Sequence, residues 1–375
     1  MIRCLHLADL HLGWVPDLPP DKRDIRQKER DSLLKRAIDY ALAPDSGINM
    51  VVIAGDLFES HAPDASLVEE VLRQLRRLMQ ARILLVTVPG NHDEITYHDS
   101  VYRVRGDSWP GVLVRNPMPD KVCSADIDGT HIVIYSLAYT GGLTRTDRLA
   151  DLPRAADPGL HMGIFHGSLD WNAGDRSLPM MSSALARAGY DYVALGHIHK
   201  HIKANIGKGI AVYPGAIEYK GLSDPGVGHL TIAQFDGGFV TIQTPKIAVR
   251  KHIEETIDVS AMRSQNELIE ALTHMGDPEA LARIILTGAP PFSIDVETLT
   301  AAIEDKFFYL EVDDQTDFLT PALIKEYSEE ITIRGYFARR LLDRINKAAD
   351  DRERRLLQLA LRKGLAAFQG GGRAR

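Results

Sequence analysis

The sequence predicts an α/β fold in which a mostly parallel sheet is covered by helices. Three short apolar runs, Ile2–Leu7, Met50–Ala54 and 83–88, each end in a polar loop, and stretches with helical spacing lie between them. Further along the chain, strand-like runs follow one another at short intervals. Repeated alternation of strand, loop and helix is typical of parallel sheets.

The stretches between the first runs have their apolar residues on one face. One covers residues 25–42 and the other covers residues 66–79. We therefore expect helices in both places that pack on the sheet. The apolar residues of the first stretch are Leu33, Leu34, Ala37, Ile38 and Ala41.

The later runs predict a second sheet. Residues 230–235 and 240–243 flank Asp236-Gly237-Gly238, which predicts a hairpin. Two sheets packed face to face, with helices outside them, accommodate all of these elements. The remaining strand-like runs are 112–114, 132–137, 162–165, 192–195 and 210–213.

The pattern changes after about residue 245, so residues 1–245 are predicted to form the first domain. Residues 246–318 alternate strand, helix, strand, helix and strand, which predicts a small second domain. Residues 319–369 are predicted to be a C-terminal helical segment, and residues 370–375 a frayed tail.

The composition is that of a globular protein, with 45% hydrophobic and 25% charged residues. No apolar run approaches the roughly 20 residues that a membrane helix needs. Met1-Ile2-Arg3 leads straight into a strand pattern rather than a signal peptide, so we predict a cytoplasmic protein with no membrane partner. Cys4 and Cys123 lack metal or redox spacing and are expected to be reduced thiols.

The net charge of −7 conceals an uneven distribution. From Arg334 to the end, the chain has twelve Lys or Arg residues and four Asp or Glu residues, an excess of +8, so the rest carries −15. This distribution excludes a protein coated in basic residues. The basic C-terminal segment predicts a partner of its own.

Residues of metal-ligand type occur in five loops, each after an apolar strand-like run. Ligands of parallel sheets bind at the carboxyl ends of the strands, so we expect these loops to converge. Mixed carboxylate and imidazole ligands suit divalent ions such as Mn²⁺ and Zn²⁺, and a pair of ions about 3.5–4 Å apart needs a shared ligand. The loops are Asp9-x-His11, Gly55-Asp56, Gly90-Asn91-His92-Asp93, His166-Gly167 and Gly196-His197-Ile198-His199.

Any one of these short motifs predicts little, because Asp-x-His and Gly-Asp pairs are common in loops. Five of them in this order, each at the end of a strand-like run, favour a two-metal centre over unrelated polar loops. A glycine beside a ligand allows the backbone to turn tightly where strand becomes loop.

These motifs resemble those of the calcineurin-like metallophosphoesterase family. Gly55-Asp56-Leu57-Phe58 and Tyr213-Pro214-Gly215-Ala216, with the β-α-β-α-β appendage, resemble the DNA repair exonuclease branch related to SbcD and YhaO. The resemblance is clearest over residues 1–245 and weakens beyond 315. It implies a four-layer αββα sandwich, a small capping domain of the DNA-binding type and a C-terminal helical segment.

The resemblance also implies two divalent ions, with Mn²⁺ preferred over Mg²⁺, Fe²⁺ or Zn²⁺. Two cations neutralise the charge on phosphoryl oxygens, and a histidine titrates near the working pH of a general acid. The implied ligands are Asp9, His11 and His199 for the first ion and Asn91, His166 and His197 for the second, with Asp56 bridging both and His92 protonating the leaving oxygen.

Three further residues are predicted to contact the substrate. In the exonuclease branch a second histidine often follows Gly-Asp-Leu-Phe, whereas this chain has Glu59, with His61 two residues later. A carboxylate beside an approaching phosphodiester repels it unless it pairs with a cation or points away. Trp14 follows the first ligand loop and is a candidate for stacking on a base, or for packing.

The leading interpretation is a metal-dependent DNA exonuclease or endonuclease of DNA repair, acting as the nuclease subunit of an SMC-like ATPase. The alternative is a small-molecule or cyclic-nucleotide phosphodiesterase with the same dimetal site. The second domain and basic segment favour the nuclease, while the acidic body favours the alternative, because DNA binding neutralises phosphates. A non-catalytic scaffold would require lost ligands, and all seven are present.

Residues 334–368 predict two amphipathic helices, with Asp350 and Glu353 as a capping box for the second. Neither is stable alone in water, so each must bury its apolar stripe. The stripe packs on the chain's own catalytic domain or, as the resemblance implies, on a coiled-coil ATPase of the SbcC type. Direct DNA contact and a homodimer are also open. The stripes are Phe337, Leu341, Leu342 and Ile345, then Leu356, Leu357, Ala360, Leu361, Leu365 and Phe368, flanked by Arg339, Arg340, Arg344, Arg354 and Arg355.

Overall fold

The computed structural model describes residues 1–140, 152–153, 158–170, 177–218, 220–222, 224, 226–290, 292–316 and 321–370. Contacts divide the chain into two compact units, Met1–Lys251 and His252–Arg375. The first unit ends a few residues after the predicted boundary at 245. The boundary predicted at 318 lies outside the described residues and stays a prediction.

The described part of the first unit consists of thirteen strands and five helices. The strands are β1 (Ile2–Leu7), β2 (Met50–Ala54), β3 (Leu84–Val88), β4 (Val112–Leu113), β5 (Asp120–Ile127), β6 (Thr130–Ser136), β7 (Leu160–Leu169), β8 (Leu178–Met180), β9 (Tyr192–Gly196), β10 (Ile202–Ile206), β11 (Gly209–Tyr213), β12 (Thr231–Asp236) and β13 (Phe239–Gln243). The helices are α1 (Pro20–Asp31), α2 (Leu33–Ala41), α3 (Ala65–Gln80), α4 (Val101–Val104) and α5 (Ser182–Ala188), with a 3₁₀ turn at Gly106–Ser108.

These strands form two sheets. The first has the order β13-β12-β1-β2-β3-β4 and the second the order β10-β11-β9-β7-β6-β5, with β8 paired to β7. Strands β1 to β4 are parallel, as the alternation of elements predicted. Strands β12 and β13 form the predicted hairpin, with Asp236 opposite Phe239. The predicted fold of two sheets with flanking helices is confirmed.

The core lies between the two sheets and continues outside them. In β6, Ile132 and Ile134 join the large cluster shared with the first sheet, whereas Val133 and Tyr135 join a separate cluster with Leu185 of α5. Successive side chains of a strand point to opposite faces, so both faces of this sheet are buried. Helices α2 and α3 bury their apolar faces in the large cluster. The layers are therefore helix, sheet, sheet and helix.

The predicted helical stretch 25–42 forms two helices that meet at Ser32. The Ser32 hydroxyl donates to the Glu29 carbonyl at 2.6 Å. Serine favours such local bonds over helix propagation, which explains the break. The second stretch forms a single helix, α3, whose N-cap Asp64 accepts a hydrogen bond from the Ser66 amide at 2.8 Å.

Helix α1 is polar, yet it buries two arginines that sequence periodicity did not identify. Arg26 and Arg30 are buried, and Arg26 donates to the Glu218 carboxylate at 2.5 Å. Arg30 donates to the Glu218 carbonyl at 2.9 Å and to the Leu10 carbonyl at 3.2 Å. The second Glu218 carboxylate oxygen accepts from the Val249 amide at 2.6 Å. This network ties the first ligand loop to the segment that follows β11.

The second unit begins with the predicted alternation of strands and helices. A three-stranded sheet has the order β14-β15-β16, with β15 and β16 parallel, and it packs with two helices around its own apolar cluster. The elements are β14 (Lys251–Asp258), α6 (Gln265–His274), β15 (Asp277–Thr287), α7 (Val296–Ile303) and β16 (Phe307–Asp314), with a 3₁₀ turn at Glu304–Lys306.

Three helices complete the second unit: α8 (Pro321–Glu329), α9 (Ile333–Asn346) and α10 (Asp351–Gly370). They share an apolar cluster in which Leu357, Leu361 and Leu365 of α10 are buried. Leu356, predicted to be in the same stripe, is 66% exposed because it lies on another face of the helix. In the described part of the chain, no helix is long and apolar enough to cross a bilayer.

The N-terminus of α10 has the predicted cap. The Asp350 carboxylate accepts from the Glu353 amide at 2.7 Å. The Glu353 carboxylate reaches back to the Ala349 amide, at 2.9 Å, one residue before the amide used in a standard capping box. The Arg355 side chain and residues 371–375 of the predicted frayed tail lie outside the described residues.

The buried network around Glu218 generates a stability prediction. We expect Glu218→Ala to lower the free energy of unfolding by about 3–5 kcal/mol, because it removes the carboxylate that pairs with the buried Arg26 guanidinium and accepts from the Val249 amide. Urea unfolding of the whole chain measures the loss. The control is Glu69→Ala, which removes an exposed pair with Arg105 and should change the same quantity by less than about 1 kcal/mol. Equal losses in the two variants would contradict the assignment.

Candidate metal centre

Both sheets contribute to one cluster of polar side chains. Asp9 and His11 follow β1, Asp56 follows β2, and Asn91 and His92 follow β3. From the second sheet, His166 lies in β7, and His197 and His199 follow β9. The sequence predicted that these loops converge. The structure places all eight side chains in one cluster, linked by the pairs described below.

The backbone is strained where it presents these side chains. Asp9, His11, Asp56 and His197 have φ angles of 55°, 46°, 50° and 100°. Residues other than glycine seldom adopt positive φ, and such strain persists only where the surrounding structure imposes it. Four of the seven non-glycine residues with positive φ in the described part of the chain are therefore predicted ligands.

Two glycines are required by the close approach of neighbouring loops. A Cβ atom at Gly90 would overlap the Asp56 carboxylate, and one at Gly55 would overlap the His166 ring. Gly55 also has a φ of +88°. These contacts allow the loops after β2, β3 and β7 to meet around one carboxylate.

The first group of donors consists of Asp9, His11 and His199, whose ligand atoms lie within 4.8 Å of one another. The Nε2 atoms of His11 and His199 are 3.1 Å apart. The Asp9 carboxylate also accepts from the His197 amide, at 2.9 and 3.1 Å, which fixes its orientation. This is the set predicted for the first ion.

The second group of donors is centred on Asn91. Its Oδ1 atom lies 2.9 Å from both His166 Nε2 and His197 Nδ1. Asp56 lies between the two groups, because its Oδ2 atom is 3.4 Å from His166 Nε2 and 3.8 Å from His11 Nε2. A single carboxylate thus faces both sets of histidines, which is the position that a bridging ligand requires.

The cluster concentrates negative charge in a buried place. Asp9 and Asp56 are 1% and 2% exposed. Burial raises the pKa of Asp9, and the neighbouring Asp56 raises it further. Although burial disfavours a charged His166, the carboxylates of Asp56 and Asp9 raise its pKa to about 9. The site therefore attracts positive charge, which a divalent ion supplies more fully than a proton does.

The orientation of two histidines fits a cation site. His11 Nδ1 lies 2.9 Å from the Glu59 carboxylate, and His199 Nδ1 lies 2.6 Å from the Asp224 carboxylate. Both rings therefore turn Nε2, and not Nδ1, towards the position they share. Burial lowers the pKa of His11 to about 4. Although burial disfavours a charged His199, the carboxylates of Asp224 and Asp9 raise its pKa. The two Nε2 atoms lie 3.1 Å apart, close enough for one cation to bind both.

His92 lies at the edge of this cluster and is partly exposed. Its main-chain amide donates to Asp56 Oδ1 at 2.9 Å, and its Nδ1 atom lies 3.1 Å from the Glu59 carbonyl. The carbonyl can only accept, so Nδ1 carries a hydrogen and Nε2 is left for other chemistry. One ring nitrogen of His92 also lies within 4.8 Å of donor atoms of His11 and Asp56. Distance alone therefore does not separate a ligand from an acid at this residue.

The three residues predicted to contact substrate have protein partners. Both carboxylate oxygens of Glu59 accept from the Lys220 ammonium, at 3.0 and 2.8 Å. His61 stacks on Tyr97 with ring centroids 4.0 Å apart. The Arg30 guanidinium lies 4.9 Å from the centre of the Trp14 ring. Their role towards substrate stays a prediction.

Three charged residues around the cluster had no predicted role. Lys220 and Asp224 lie in a segment without a motif, so the sequence offered no signal for them. Asp93 was part of a motif but had no assigned function. It is buried, and its carboxylate accepts from the amides of Gly90 and Phe58, at 2.7 and 3.1 Å, and from the Tyr102 hydroxyl at 2.7 Å. Asp93 thereby joins the loops after β2 and β3.

Two packed sheets whose strand ends share one cluster of carboxylates and imidazoles define a metal-dependent hydrolase. The chain belongs to the Calcineurin-like phosphoesterase family, whose sequence profile matches residues 2–201. The predicted family is therefore confirmed. This family uses a dinuclear site for divalent metal ions, and the donors described above supply candidate ligands for it.

Individual proteins are similar over a longer range. The metallophosphoesterase YhaO of Bacillus subtilis (strain 168) is 24% identical over 346 residues, which cover 84% of this chain and 81% of YhaO. The DNA double-strand break repair protein Mre11 of Sulfurisphaera tokodaii is 25% identical over 308 residues, covering 76% and 73%. The crystal structure of TT1561 of Thermus thermophilus covers 65% of this chain and 98% of its own, with 13% identity and a TM-score of 0.39.

The buried charge generates a prediction for metal binding. We expect Mn²⁺ to raise the melting temperature of the EDTA-treated protein, because an ion that binds only the folded state stabilises it by about 2.7 kcal/mol at 100 times its Kd. Asp56→Asn, which keeps the shape of the side chain, should remove most of the increase. Asp126→Asn, on the β5–β6 hairpin, should keep it. Identical melting temperatures in EDTA and Mn²⁺ would contradict the assignment.

Proposed function

We propose that this chain is a two-metal DNA phosphodiesterase, an exonuclease or endonuclease of DNA repair that works with an SMC-like coiled-coil ATPase. The observation that carries the proposal is the cluster of seven candidate metal ligands, with Asp56 between its two halves and His92 at its edge. A site of this kind binds two cations and leaves one partly exposed imidazole beside them.

The proposed ligands follow from the two groups of donors. Bound there, two divalent ions would neutralise the charge on the phosphoryl oxygens and lower the pKa of a water molecule, and Mn²⁺ is the proposed metal. Asp9, His11 and His199 would hold the first ion, and Asn91, His166 and His197 the second. Asp56 would contact both ions, because it faces histidines of both groups.

His92 is the proposed general acid. The Glu59 carbonyl accepts from its Nδ1, at 3.1 Å, and holds the ring so that Nε2 is available. As the oxygen of a water molecule bonds to phosphorus, the bond from phosphorus to the leaving ester oxygen breaks. In its protonated form, His92 would transfer the Nε2 proton to that oxygen.

Two features support DNA as the substrate. Mre11 of Sulfurisphaera tokodaii, named as a DNA double-strand break repair protein, is similar over 76% of this chain. The second unit adds a sheet with two helices and a helical bundle beyond the family region at residues 2–201. Hydrolysis of a small molecule does not require such additions, whereas a long polymer offers further contacts to them.

The helical bundle supports a protein partner. Leu356 and Leu359 of α10 are 66% and 51% exposed and lie on the face opposite its buried stripe, where Lys363 is also exposed. Exposed apolar residues with basic neighbours suit an acidic amphipathic helix pair. A coiled-coil ATPase presents such a surface, so we propose α10 as part of its docking site.

The chemistry is tested with two variants of the full chain. We expect Mn²⁺-dependent cleavage of labelled linear DNA and of bis-p-nitrophenyl phosphate, abolished by Asp56→Asn. His92→Ala should lower kcat by about 10²–10⁴-fold, since only general acid catalysis is removed. Calorimetry should show that His92→Ala still binds two Mn²⁺ ions. Loss of one ion in this variant would make His92 a ligand instead of an acid.

The same assay separates the two substrate classes. A cyclic nucleotide and labelled linear DNA are compared at equal enzyme and Mn²⁺ concentrations. The proposal predicts the larger kcat/KM for DNA. Turnover of the cyclic nucleotide with no cleavage of DNA would instead favour the small-molecule phosphodiesterase.

The docking site is tested by two substitutions on α10. We expect Leu356→Ser with Leu359→Ser to prevent copurification with a coiled-coil ATPase encoded beside this protein, while hydrolysis of the small diester is unchanged. Both residues are exposed, so each substitution should change the free energy of unfolding by less than about 0.5 kcal/mol. Met118→Ser, at an exposed apolar residue of the first unit, is the control. Full recovery of the ATPase with the α10 variant would refute the docking site.

A further inference from the structure

We infer that Glu59 and Asp224 are positioning residues that set the affinity of the first metal position. Glu59 then acts on the metal centre and not on the path of the DNA strand. The inference rests on the ligands proposed above. Its starting point is that the two imidazoles of this position, His11 and His199, each face a carboxylate with the nitrogen that is turned away from the site.

The carboxylate of Glu59 is held from two sides. One oxygen lies 2.9 Å from His11 Nδ1, and Lys220 donates to both oxygens, at 3.0 and 2.8 Å. A carboxylate paired with an ammonium group does not repel an approaching phosphodiester as a lone one would. The pairing also prevents Glu59 from turning towards the substrate without breaking an ion pair.

Asp224 has the equivalent place behind the other histidine. Its Oδ2 atom accepts from His199 Nδ1 at 2.6 Å. Both rings are therefore oriented with Nε2 towards the shared position, and the carboxylates make these nitrogens more basic. The two Nε2 atoms accordingly lie 3.1 Å from each other.

At the second metal position, the His166 ring is oriented by a neutral group. His166 Nδ1 lies 2.9 Å from the main-chain carbonyl of Ala54. A neutral carbonyl orients the ring but adds no negative charge, whereas Glu59 and Asp224 add a carboxylate behind each ring of the first position. The two positions should thus respond differently when these carboxylates are neutralised.

Two of the residues behind these rings come from one short segment. Lys220 and Asp224 both follow β11, and Glu218 at the start of the same segment is fixed by the buried Arg26 and Arg30. This anchoring by Glu218 fixes the segment that carries Lys220 and Asp224. It also links the segment to the first ligand loop, through the bond from Arg30 to the Leu10 carbonyl.

The test measures Mn²⁺ binding to full-length Glu59→Gln and Asp224→Asn by calorimetry, with electron paramagnetic resonance to separate coupled from single Mn²⁺ ions. We expect each variant to lower the affinity of one of the two ions by about 10- to 100-fold and to leave the other unchanged. At limiting Mn²⁺, the spectrum should shift from the coupled pair towards single ions.

The matched control is Asp126→Asn. Asp126 faces His131 Nδ1 at 2.8 Å, so it has the same carboxylate–imidazole contact outside the metal centre. This variant should bind both ions as the unsubstituted protein does. Circular dichroism in EDTA establishes that each variant is folded before its affinity is interpreted, and a Glu59→His variant replaces Glu59→Gln if the latter does not fold.

Kinetics with two substrates distinguish this role from substrate contact. If Glu59 acts through the metal, Glu59→Gln lowers kcat for DNA and for bis-p-nitrophenyl phosphate by the same factor at limiting Mn²⁺, and excess Mn²⁺ restores both. Unchanged Mn²⁺ affinity together with a raised KM for DNA alone would overturn the inference. A protein that binds two ions as expected but cleaves no DNA would leave the inference standing and refute the proposed function.

Discussion

Two buried carboxylates in one cluster are the constraint on which the site depends. Asp9 and Asp56 lie where the two sheets meet, and the histidines beside them come from both sheets. Both residues have positive φ angles, and this backbone strain persists because the surrounding loops hold the two residues in place. Binding of cations would relieve the charge, so stability and catalysis are linked through the same side chains.

The arrangement separates three tasks among neighbouring groups. One set of side chains would hold the cations, a second set of carboxylates and carbonyls fixes the rings, and a third set joins the loops. Glu59 fixes two rings, because its carboxylate faces His11 and its carbonyl lies against His92 Nδ1. In the proposed centre, the chemistry therefore also depends on residues that are not metal ligands.

Much of this could be predicted from the sequence, since strand-end loops with Asp, Asn and His are local patterns. The seven proposed ligands each lie in a short motif. The hairpin at Gly237-Gly238 and the cap at Asp350 likewise depend on residues close together in the chain. Lys220 could not be predicted to face Glu59, which is 161 residues away, because no motif marks Lys220. Buried arginines in α1 were also missed, since periodicity assigns charged residues to the surface.

In the proposed function, ligands from both sheets form one dinuclear centre. Anomalous diffraction from crystals of the full chain grown with Mn²⁺ would locate the ions. We expect two peaks about 3.5–4 Å apart on either side of Asp56. One should lie among Asp9, His11 and His199, and the other among Asn91, His166 and His197. A single peak, or a second ion bound by His92, would contradict it.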